Sequence, residues 1–281
     1  MQADTLATLR RALSDWRLRG ERVALVATMG NLHAGHLQLV RRARERSDRV
    51  VVSIFVNPLQ FGAGEDYQNY PRTLQEDALA LRRAAADLLF VPALEEVYRR
   101  PGEQLTRIQV PGITTQLCGA SRPGHFDGVA TVVCKLFNMV QPDLAVFGEK
   151  DYQQLLVIRR MVEDLNLPLE VIGVPTVREA DGLALSSRNA YLSVSERRTA
   201  PQLYRVLRDS VEQIRGGDHR FERLCSLARA ELSDLGFRPD YLEVRSASDL
   251  ERPRSGEHKL VILAAAHLGR ARLIDNIPFR I

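Results

Sequence analysis

Residues 22–36 of the chain read RVALVATMGNLHAGH, an apolar run that ends in a turn rich in glycine and histidine. Residues 22–28 have the length and composition of a buried strand, and a helical pattern follows from Gly35 to about Ser47. Gly30 and Gly35 let the backbone approach a ligand closely, and the start of the helix offers N–H groups to an anion. The stretch therefore predicts a strand–turn–helix unit with a ligand site in its turn.

Strands and helices continue to alternate as far as about residue 174. The pattern predicts strands at 49–56, 88–91, 144–147 and 169–174, and helices at 73–86, 126–140 and 151–165. This alternation implies parallel βαβ units and a sheet covered on both faces. We therefore expect a Rossmann-like α/β domain.

The pattern changes near Pro175. Two strongly charged helices, at 195–216 and 218–236, are followed by strand candidates at 241–245, 259–266 and 271–276. This order is typical of a smaller α+β domain. We expect residues 1–176 to form the Rossmann-like domain and residues 177–281 to form the smaller one.

The composition excludes several classes of protein. With 281 residues, 45% of them hydrophobic and 26% charged, the chain has enough apolar residues for a sizeable core. The 39 basic and 35 acidic residues are interspersed and leave a charge of only +4, which argues against nucleic-acid binding. Three cysteines without a CxxC pair, no signal peptide and no apolar run of membrane length predict a cytoplasmic protein without a membrane partner.

The two histidines of the first turn are the strongest candidates for chemistry. His33 and His36 are three residues apart, so they share a face if both lie on the first helical turn. Two imidazoles there would donate hydrogen bonds to a phosphate and stabilise the charge that develops during its transfer. Zinc binding is the weaker interpretation, because HxxH lacks the glutamate and the third ligand of a metalloprotease helix.

Other polar residues fall at strand ends or at the domain junction. Gln60 follows the strand at 49–56, Lys150 follows the strand at 144–147, and the loop 186–189 reads SSRN. An amide suits a small polar substrate, while lysine, arginine and hydroxyl groups suit phosphate oxygens. Taken singly, each segment is also compatible with a solvated turn, a surface lysine or an ST-turn.

Motifs along nearly the whole chain, in order, resemble those of the pantothenate synthetase (pantoate–β-alanine ligase) family. They are TMGNLHAGH (28–36), VVSIFVNPLQF (51–61), YPRTLQED (70–77), SRPGHFDGV (121–129), FGEKDYQQ (147–154), GVPTVREADGLALSSRN (173–189) and ARLIDN (271–276). So many ordered motifs are more specific than the HxGH signature, which a broad group of nucleotidyltransferases and class I aminoacyl-tRNA synthetases shares.

The resemblance implies a two-step reaction. ATP and (R)-pantoate first give an enzyme-bound pantoyl adenylate and pyrophosphate, and β-alanine then attacks the acyl carbon to release pantothenate and AMP. It also implies Mg²⁺, a homodimer, and a smaller domain that acts as a lid over the site. This chemistry needs positioning and charge stabilisation above all.

The resemblance also implies roles for individual residues. The catalytic residues are His36, to which a proton-donor role is usually assigned, His33 and Lys150. The ATP-binding residues are Met29, Gly30, Asn31, Leu32, His33, Ala34, Gly35, His36, Gly148, Glu149, Lys150, Asp151, Val177, Leu185, Ser186, Ser187 and Arg188. Gln60 and Gln154 resemble the pantoate-binding glutamines, and Gln60 is also implicated with β-alanine. Asn57, Tyr70 and Arg122 line or border the same pocket.

Four positions depart from the family pattern, namely Ala27, Asp127, Leu185 and His267. None of these changes removes a group that the chemistry requires. Two other functions stay open at this point. A nucleotidyltransferase of the same superfamily would need extra basic residues for a phosphorylated acceptor, and a non-catalytic basic binding protein fits poorly with the near-balanced charge.

Overall fold

The computed structural model describes residues 1–62, 67–99 and 105–281. The chain folds as two compact units, the first from Met1–Glu149 and Val157–Pro175 and the second from Lys150–Leu156 and Thr176–Ile281. Residues 150–156 thus belong to the second compact unit, although they precede the boundary that the sequence predicts near residue 176. The roles expected for the two domains stay a prediction.

The first unit is built from alternating strands and helices. The elements as far as its end are β1 (Gln2–Ala3), α1 (Leu6–Leu18), β2 (Val23–Thr28), α2 (Ala34–Arg44), β3 (Arg49–Ile54), α3 (Leu74–Arg83), β4 (Leu88–Phe90), α4 (Leu94–Val97), α5 (Cys118–Ser121), α6 (His125–Val140), β5 (Leu144–Gly148), α7 (Tyr152–Asp164) and β6 (Glu170–Val174). Short 3-10 turns lie at Pro58–Gln60, Ile113–Thr115 and Glu149–Asp151. The expected alternation is confirmed.

The six strands described in this unit form one parallel sheet in the order β1-β4-β3-β2-β5-β6. The central strand β2 pairs with β3 on one side and with β5 on the other. The strand order therefore reverses at β2, and in open α/β sheets ligands bind at such a switch point, outside the carboxyl ends of the strands. The turn after β2 and the segment after β5 both begin at this edge.

The central strands β2 and β3 are apolar over most of their length because both faces of the sheet are covered. Val50, Val51 and Val52 of β3 have no exposed surface, and β2 is buried from Val23 to Val26. Alternating polar positions, which would mark a solvated face, are missing from these two strands. Polar side chains that could bind a ligand are therefore expected at the strand ends and in the turns that follow them.

The second unit is an antiparallel sheet packed with helices. It contains α8 (Val194–Thr199), α9 (Gln202–Arg215), α10 (Phe221–Asp234), β7 (Arg238–Ser246), β8 (Lys259–Leu268) and β9 (Ala271–Arg280), with a 3-10 turn at Ser187–Tyr191. The sheet has the order β7-β8-β9, and α9 and α10 pack against it around a shared apolar core. The expected α+β architecture is confirmed.

The helices differ from the sequence-based expectation at one clear point. The helix expected at 195–216 is two helices, α8 and α9, because Pro201 lies between them and has no N–H to donate to the preceding turn. The longest described helix, α6, has 16 residues. Within the described parts of the chain, no helix is long and apolar enough to cross a membrane.

Candidate active site

The turn between β2 and α2 is held in a conformation that requires glycine. Gly30 has φ +82°, and a Cβ at this position would lie 3.1 Å from both Asp77 Oδ2 and Ile54 Cγ2. The Gly30 N–H donates to Thr28 Oγ1 (3.2 Å), and that hydroxyl donates to the carbonyl of Ser53 on β3 (2.8 Å). The turn is therefore tied back to the sheet before it reaches the histidines.

A buried carboxylate from α3 fixes the next two residues of the turn. Asp77 is only 3% exposed, and its Oδ2 and Oδ1 accept hydrogen bonds from the N–H groups of Asn31 and Leu32, both at 2.8 Å. These two N–H groups precede the helix start that the sequence indicates as an anion site, and they bind a carboxylate of the protein itself. Charged hydrogen bonds of this kind are strong, so Asp77 organises the turn.

The two histidines cap the helix that they begin. The Gly35 N–H donates to His33 Nδ1 (3.1 Å), and the His33 N–H donates to His36 Nδ1 (3.3 Å). Because both Nδ1 atoms accept, the neutral form of each ring carries its proton on Nε2. The ring centroids are 4.1 Å apart, with the planes tilted by 37°. The turn therefore pairs two Nε2–H donors.

Gln60 and Asn57 lie in the 3-10 turn that follows β3. The Asn57 amide is 1% exposed, and its Nδ2 donates to Gln60 Oε1 (3.2 Å) and to the carbonyl of Gly128 on α6 (3.0 Å). Its Oδ1 accepts from the Leu59 N–H (3.2 Å) and from the Tyr98 hydroxyl (2.8 Å). Burial raises the pKa of Tyr98, so its hydroxyl stays protonated.

Gln60 also lies against the first turn. Its Nε2 lies 2.8 Å from Met29 Sδ, which brings these two predicted site residues together. The backbone carbonyl of Gln60 accepts hydrogen bonds from His125 Nδ1 (2.7 Å) and from the Arg122 guanidinium (3.3 Å). The first unit thus collects Met29, Gln60 and Asn57 at the carboxyl edge of the sheet. Arg122 joins them, and Tyr70 packs edge-on against Phe61 (5.8 Å).

The predicted residues of the second unit lie on a hairpin and its continuation. The hairpin spans residues 177–185, with the Leu185 N–H donating to the Val177 carbonyl (3.0 Å). Ser186 caps the 3-10 turn at Ser187–Tyr191, because its Oγ accepts from the Arg188 N–H (3.3 Å). Val177, Leu185, Ser186, Ser187 and Arg188 therefore belong to one continuous structure.

A buried ion pair anchors this hairpin to β9. Arg178 donates to both oxygens of Asp275 (2.6 and 2.8 Å), and its guanidinium lies 3.6 Å from the centre of the Tyr204 ring. Burial raises the pKa of Asp275, against the opposing effect of Arg178. Such a bidentate pair fixes geometry as well as charge.

Lys150 shares a small pocket with Ser186, Asn189 and Asp275 in the second unit. Its carbonyl accepts from Asn276 Nδ2 (2.9 Å), and its ammonium is 3.8 Å from Asp151. A lysine and a hydroxyl in one pocket suit an anionic oxygen. Of the other predicted residues, Gln154 is half-buried on the first turn of α7, and Gly148 and Glu149 lie where β5 passes into its 3-10 turn.

Sequence patterns did not single out the residues that hold the predicted site residues of each unit in place. Asp77, Tyr98, His125, Arg178 and Asp275 reach their partners across long separations in the chain. Four of them lie inside the quoted motifs YPRTLQED, SRPGHFDGV, GVPTVREADGLALSSRN and ARLIDN, so polar side chains within motifs were the available signal. Tyr98 lies outside all of these motifs, and no spacing marks it.

A parallel sheet with a glycine–histidine turn at its switch point defines an α/β protein of the nucleotide-binding class. Comparison with known proteins narrows the class. The model of the family described as pantoate-beta-alanine ligase matches residues 2–278. The chain belongs to the pantoate–β-alanine ligase family.

Relatives match over almost the whole chain. The pantothenate synthetase of Alkalilimnicola ehrlichii is 57% identical over 275 residues, covering 98% of this chain and 96% of the relative. That of Pseudomonas aeruginosa (strain UCBPP-PA14) is 58% identical over 273 residues, covering 97% and 96%. The expected family membership is therefore confirmed.

Solved structures agree with these relatives. A crystal structure of pantothenate synthetase from Thermus thermophilus superposes with a TM-score of 0.90 at 50% identity and covers 98% of each chain. A pantoate-beta-alanine ligase from Francisella tularensis, complexed with beta-gamma ATP and beta-alanine, superposes with a TM-score of 0.82 at 34% identity and covers 99% of this chain and 97% of that one. The family's fold is therefore present across the chain.

Proposed function

We propose that this protein condenses (R)-pantoate with β-alanine, at the expense of ATP, to give pantothenate, AMP and pyrophosphate through a pantoyl adenylate. The observation that carries the proposal is the pair of Nε2–H donors at the switch point of the sheet, in a chain whose family match spans residues 2–278. Two fixed donors in a turn that follows a central strand suit an α-phosphate.

In the first step, a carboxylate oxygen of pantoate attacks the α-phosphorus of ATP. The bond from that phosphorus to the bridging oxygen breaks, and pyrophosphate leaves with its electron pair. His33 and His36 donate hydrogen bonds to the α-phosphate and to the departing oxygen, where negative charge grows. Lys150 and Arg188 supply positive charge to the phosphates, consistent with their place on segments that resemble the family's ATP-binding motifs.

In the second step, the amine of β-alanine attacks the acyl carbon of the adenylate, loses a proton and displaces AMP. Gln60 and Gln154 hold pantoate through neutral amides, which bind its hydroxyl and carboxylate oxygens without adding charge. The protein thus contributes mainly position and electrostatic stabilisation, each of which lowers the barrier by several kcal/mol. The remaining ATP contacts come from Met29–His36, Gly148–Asp151, Val177 and Leu185–Ser187.

Mg²⁺ is proposed to enter with the nucleotide. Among the residues that the structure describes, no group of three or more His, Cys, Asp or Glu side chains could hold a metal ion. Mg²⁺ commonly binds substrate phosphates and water, with only one or two carboxylates from the protein. When bound, it would neutralise part of the negative charge on the triphosphate.

Three further expectations concern the whole protein. A cytoplasmic location, a homodimer and a lid role for the second unit follow from the sequence and the family resemblance, and they stay predictions. Sedimentation of the purified protein measures the oligomeric state directly. Limited proteolysis with and without ATP measures whether the hairpin at 177–185 becomes protected, as a lid that closes on the nucleotide requires.

An assay of pyrophosphate and AMP tests the reaction. The purified protein is incubated with ATP, Mg²⁺ and pantoate, with and without β-alanine. We expect pyrophosphate release to need pantoate, to stop near one equivalent without the amine, and to turn over with it. Pyrophosphate release that does not need pantoate, or AMP transferred to a phosphorylated acceptor, would contradict the proposal and favour a nucleotidyltransferase.

A further inference from the structure

Backbone groups fix the orientation of the Asn57 side-chain amide. The Leu59 N–H is a donor only and faces Oδ1, while the Gly128 carbonyl is an acceptor only and faces Nδ2. Turning the amide by 180° would oppose donor to donor and acceptor to acceptor, each at about 3 Å. These two backbone groups thus favour one orientation of Asn57, which is buried where water cannot replace a lost partner.

The one Asn57 Nδ2 hydrogen that does not bind the Gly128 carbonyl sets the orientation of Gln60. The second Nδ2 hydrogen of Asn57 points at the Gln60 amide (3.2 Å), so the atom that faces it is the acceptor Oε1. The NH2 group of Gln60 then faces the other way, where Nε2 meets Met29 Sδ (2.8 Å). A thioether is a weak acceptor, and a substrate oxygen at this place would be a stronger one.

Tyr98 completes the chain of hydrogen bonds. Its hydroxyl donates to the second lone pair of Asn57 Oδ1 (2.8 Å), so all four hydrogen-bonding positions of Asn57 are used. The Tyr98 ring is 2% exposed and packs edge-on against Phe55, with Lys135 Nζ 5.8 Å from its centre. The packing of the ring thus keeps the hydroxyl buried against Asn57.

We propose that Tyr98 is a positioning residue that, through Asn57, makes Gln60 present N–H donors and hence select a substrate oxygen that accepts hydrogen bonds. The proposal rests on the proposed function, because it takes Gln60 to be a pantoate ligand. It goes further by stating that Gln60 donates and the substrate accepts in that hydrogen bond. The group bound by Gln60 is then a carboxylate or hydroxyl oxygen of the acid, and an ammonium in its place, which can only donate, would be rejected.

A double-mutant cycle between Tyr98 and Gln60 tests the proposal. Steady-state constants are measured for the wild type, Tyr98→Phe, Gln60→Ala and the double variant. Tyr98→Phe should raise the KM for pantoate about three- to tenfold, the usual effect of losing one buried hydrogen bond, with little change in kcat. In the Gln60→Ala background the same change should raise KM less than about twofold, because the side chain it acts on is gone.

Ser210→Ala is the matched control. It deletes a buried hydroxyl that donates to a carbonyl, that of Val206, at the same 2.8 Å, but on α9 of the second unit. It should leave the pantoate KM unchanged in both backgrounds. An equal rise of KM on Tyr98→Phe with and without the Gln60 side chain, or no rise in a folded Tyr98→Phe variant, would overturn the proposal.

Two further measurements test the proposal if Tyr98→Phe does not fold or if the enzyme does not use pantoate. Asn57→Asp replaces the donor that faces Gln60 Oε1 with an oxygen, so it should raise the pantoate KM more than Tyr98→Phe does, again only when Gln60 is present. Independently of activity, the side-chain ¹⁵N–¹H signals of Gln60, assigned by their loss in Gln60→Ala, should shift in Tyr98→Phe and not in Ser210→Ala. Unmoved signals refute the proposal, whereas a wild type without pantoate-dependent pyrophosphate release refutes only the proposed function.

Discussion

The Nδ1 atoms of His33 and His36 each accept a backbone N–H, so the side of each ring that donates is set by the helix cap and not by a neighbouring carboxylate. In a catalytic triad, by contrast, a carboxylate side chain orients the imidazole. His33 has a second duty as the N-cap of α2, and losing a cap costs about 1 kcal/mol of stability.

Replacing either histidine by alanine should lower the rate of pyrophosphate release about 10²-fold or more, as typically happens when a transition-state donor is lost. The measurement is pantoate-dependent pyrophosphate release at saturating ATP, with circular dichroism as the check on folding. His219→Ala, an exposed histidine of the second unit, is the control and should retain the wild-type rate. Near-normal AMP formation in folded His33→Ala and His36→Ala variants would sink the assignment.

The chain contains only three lysines, and one of them is Lys150, in the pocket with Ser186. Lys150→Ala should weaken the use of ATP, seen as a higher KM for ATP, a lower kcat or both. Lys150→Arg should recover only part of the loss, because a planar guanidinium does not replace a compact ammonium on a flexible stem. The exposed Lys259→Ala serves as the control. An unchanged KM and rate in Lys150→Ala would show that this lysine does not serve the phosphates.

At the scale of elements, α3 supports the first turn through Asp77. Asp77→Asn leaves one acceptor and turns an NH2 group towards a backbone N–H of Asn31 or Leu32. The variant should lose about 1–3 kcal/mol of unfolding free energy and show a raised KM for ATP. Urea unfolding and ATP kinetics measure the two effects, with the exposed Asp164→Asn as control. Stability equal to that of the wild type would show that the carboxylate does not hold the turn.

The contact between α6 and the 3-10 turn at Pro58–Gln60 needs a glycine. A Cβ at Gly128 would lie only 2.2 Å from the Leu59 carbonyl oxygen, so Gly128→Ala must push the turn away from the helix. We expect a loss of about 1–3 kcal/mol and a higher KM for pantoate. Gly216→Ala, whose Cβ meets nothing closer than 3.3 Å, should change neither. A Gly128→Ala variant with normal stability and pantoate kinetics would contradict the close packing.

Elements defined by local pattern were predictable, and those that depend on partners were not. The strands β2 to β6 lie on apolar runs that alternate with helical patterns, and this alternation is visible in sequence. The two-residue β1 has no such pattern, because only its pairing with β4 makes it a strand. The break at Pro201 was predictable from proline alone, and the prediction of one helix at 195–216 overlooked it.

The site shows the same division. The turn with His33 and His36 lies next to a strong strand signal, so position along the chain identified it. Asp77 and Tyr98 act on residues 46 and 41 positions away, and no spacing rule links such pairs. Which carboxylate reaches which backbone amide depends on packing of the whole sheet. That information is in the fold and not in any short motif.

At the scale of the whole molecule, acid should remove stability through Glu21. Hydrogen bonds from Arg49 and Arg19 lower the pKa of Glu21 from 4.5 to about 2 in the folded protein. A carboxyl with a depressed folded-state pKa stabilises the protein above its unfolded pKa. This contribution is lost as pH falls from about 4.5 towards 2.

Glu21→Gln should therefore be less stable than the wild type near neutral pH, and the difference should vanish towards pH 2. Urea unfolding at a series of pH values measures it, and added salt should reduce the effect because the Glu21 carboxylate is only partly buried. Glu163→Gln, whose carboxylate is 79% exposed and 3.9 Å from Arg160, is the control. A difference between Glu21→Gln and the wild type that is constant across this range would refute the linkage.

The second unit draws residues 150–156 from a part of the chain that the first unit otherwise occupies. Tyr152 donates to the Ala247 carbonyl (2.8 Å), and the Lys150 carbonyl receives Asn276. A gene split at codon 176 would therefore place the two partners of each of these hydrogen bonds on different polypeptides. The carboxyl-terminal fragment would have to recruit them from the other half. Residues 176–281 moved into another protein by themselves would therefore lack the start of α7 and, with it, Lys150.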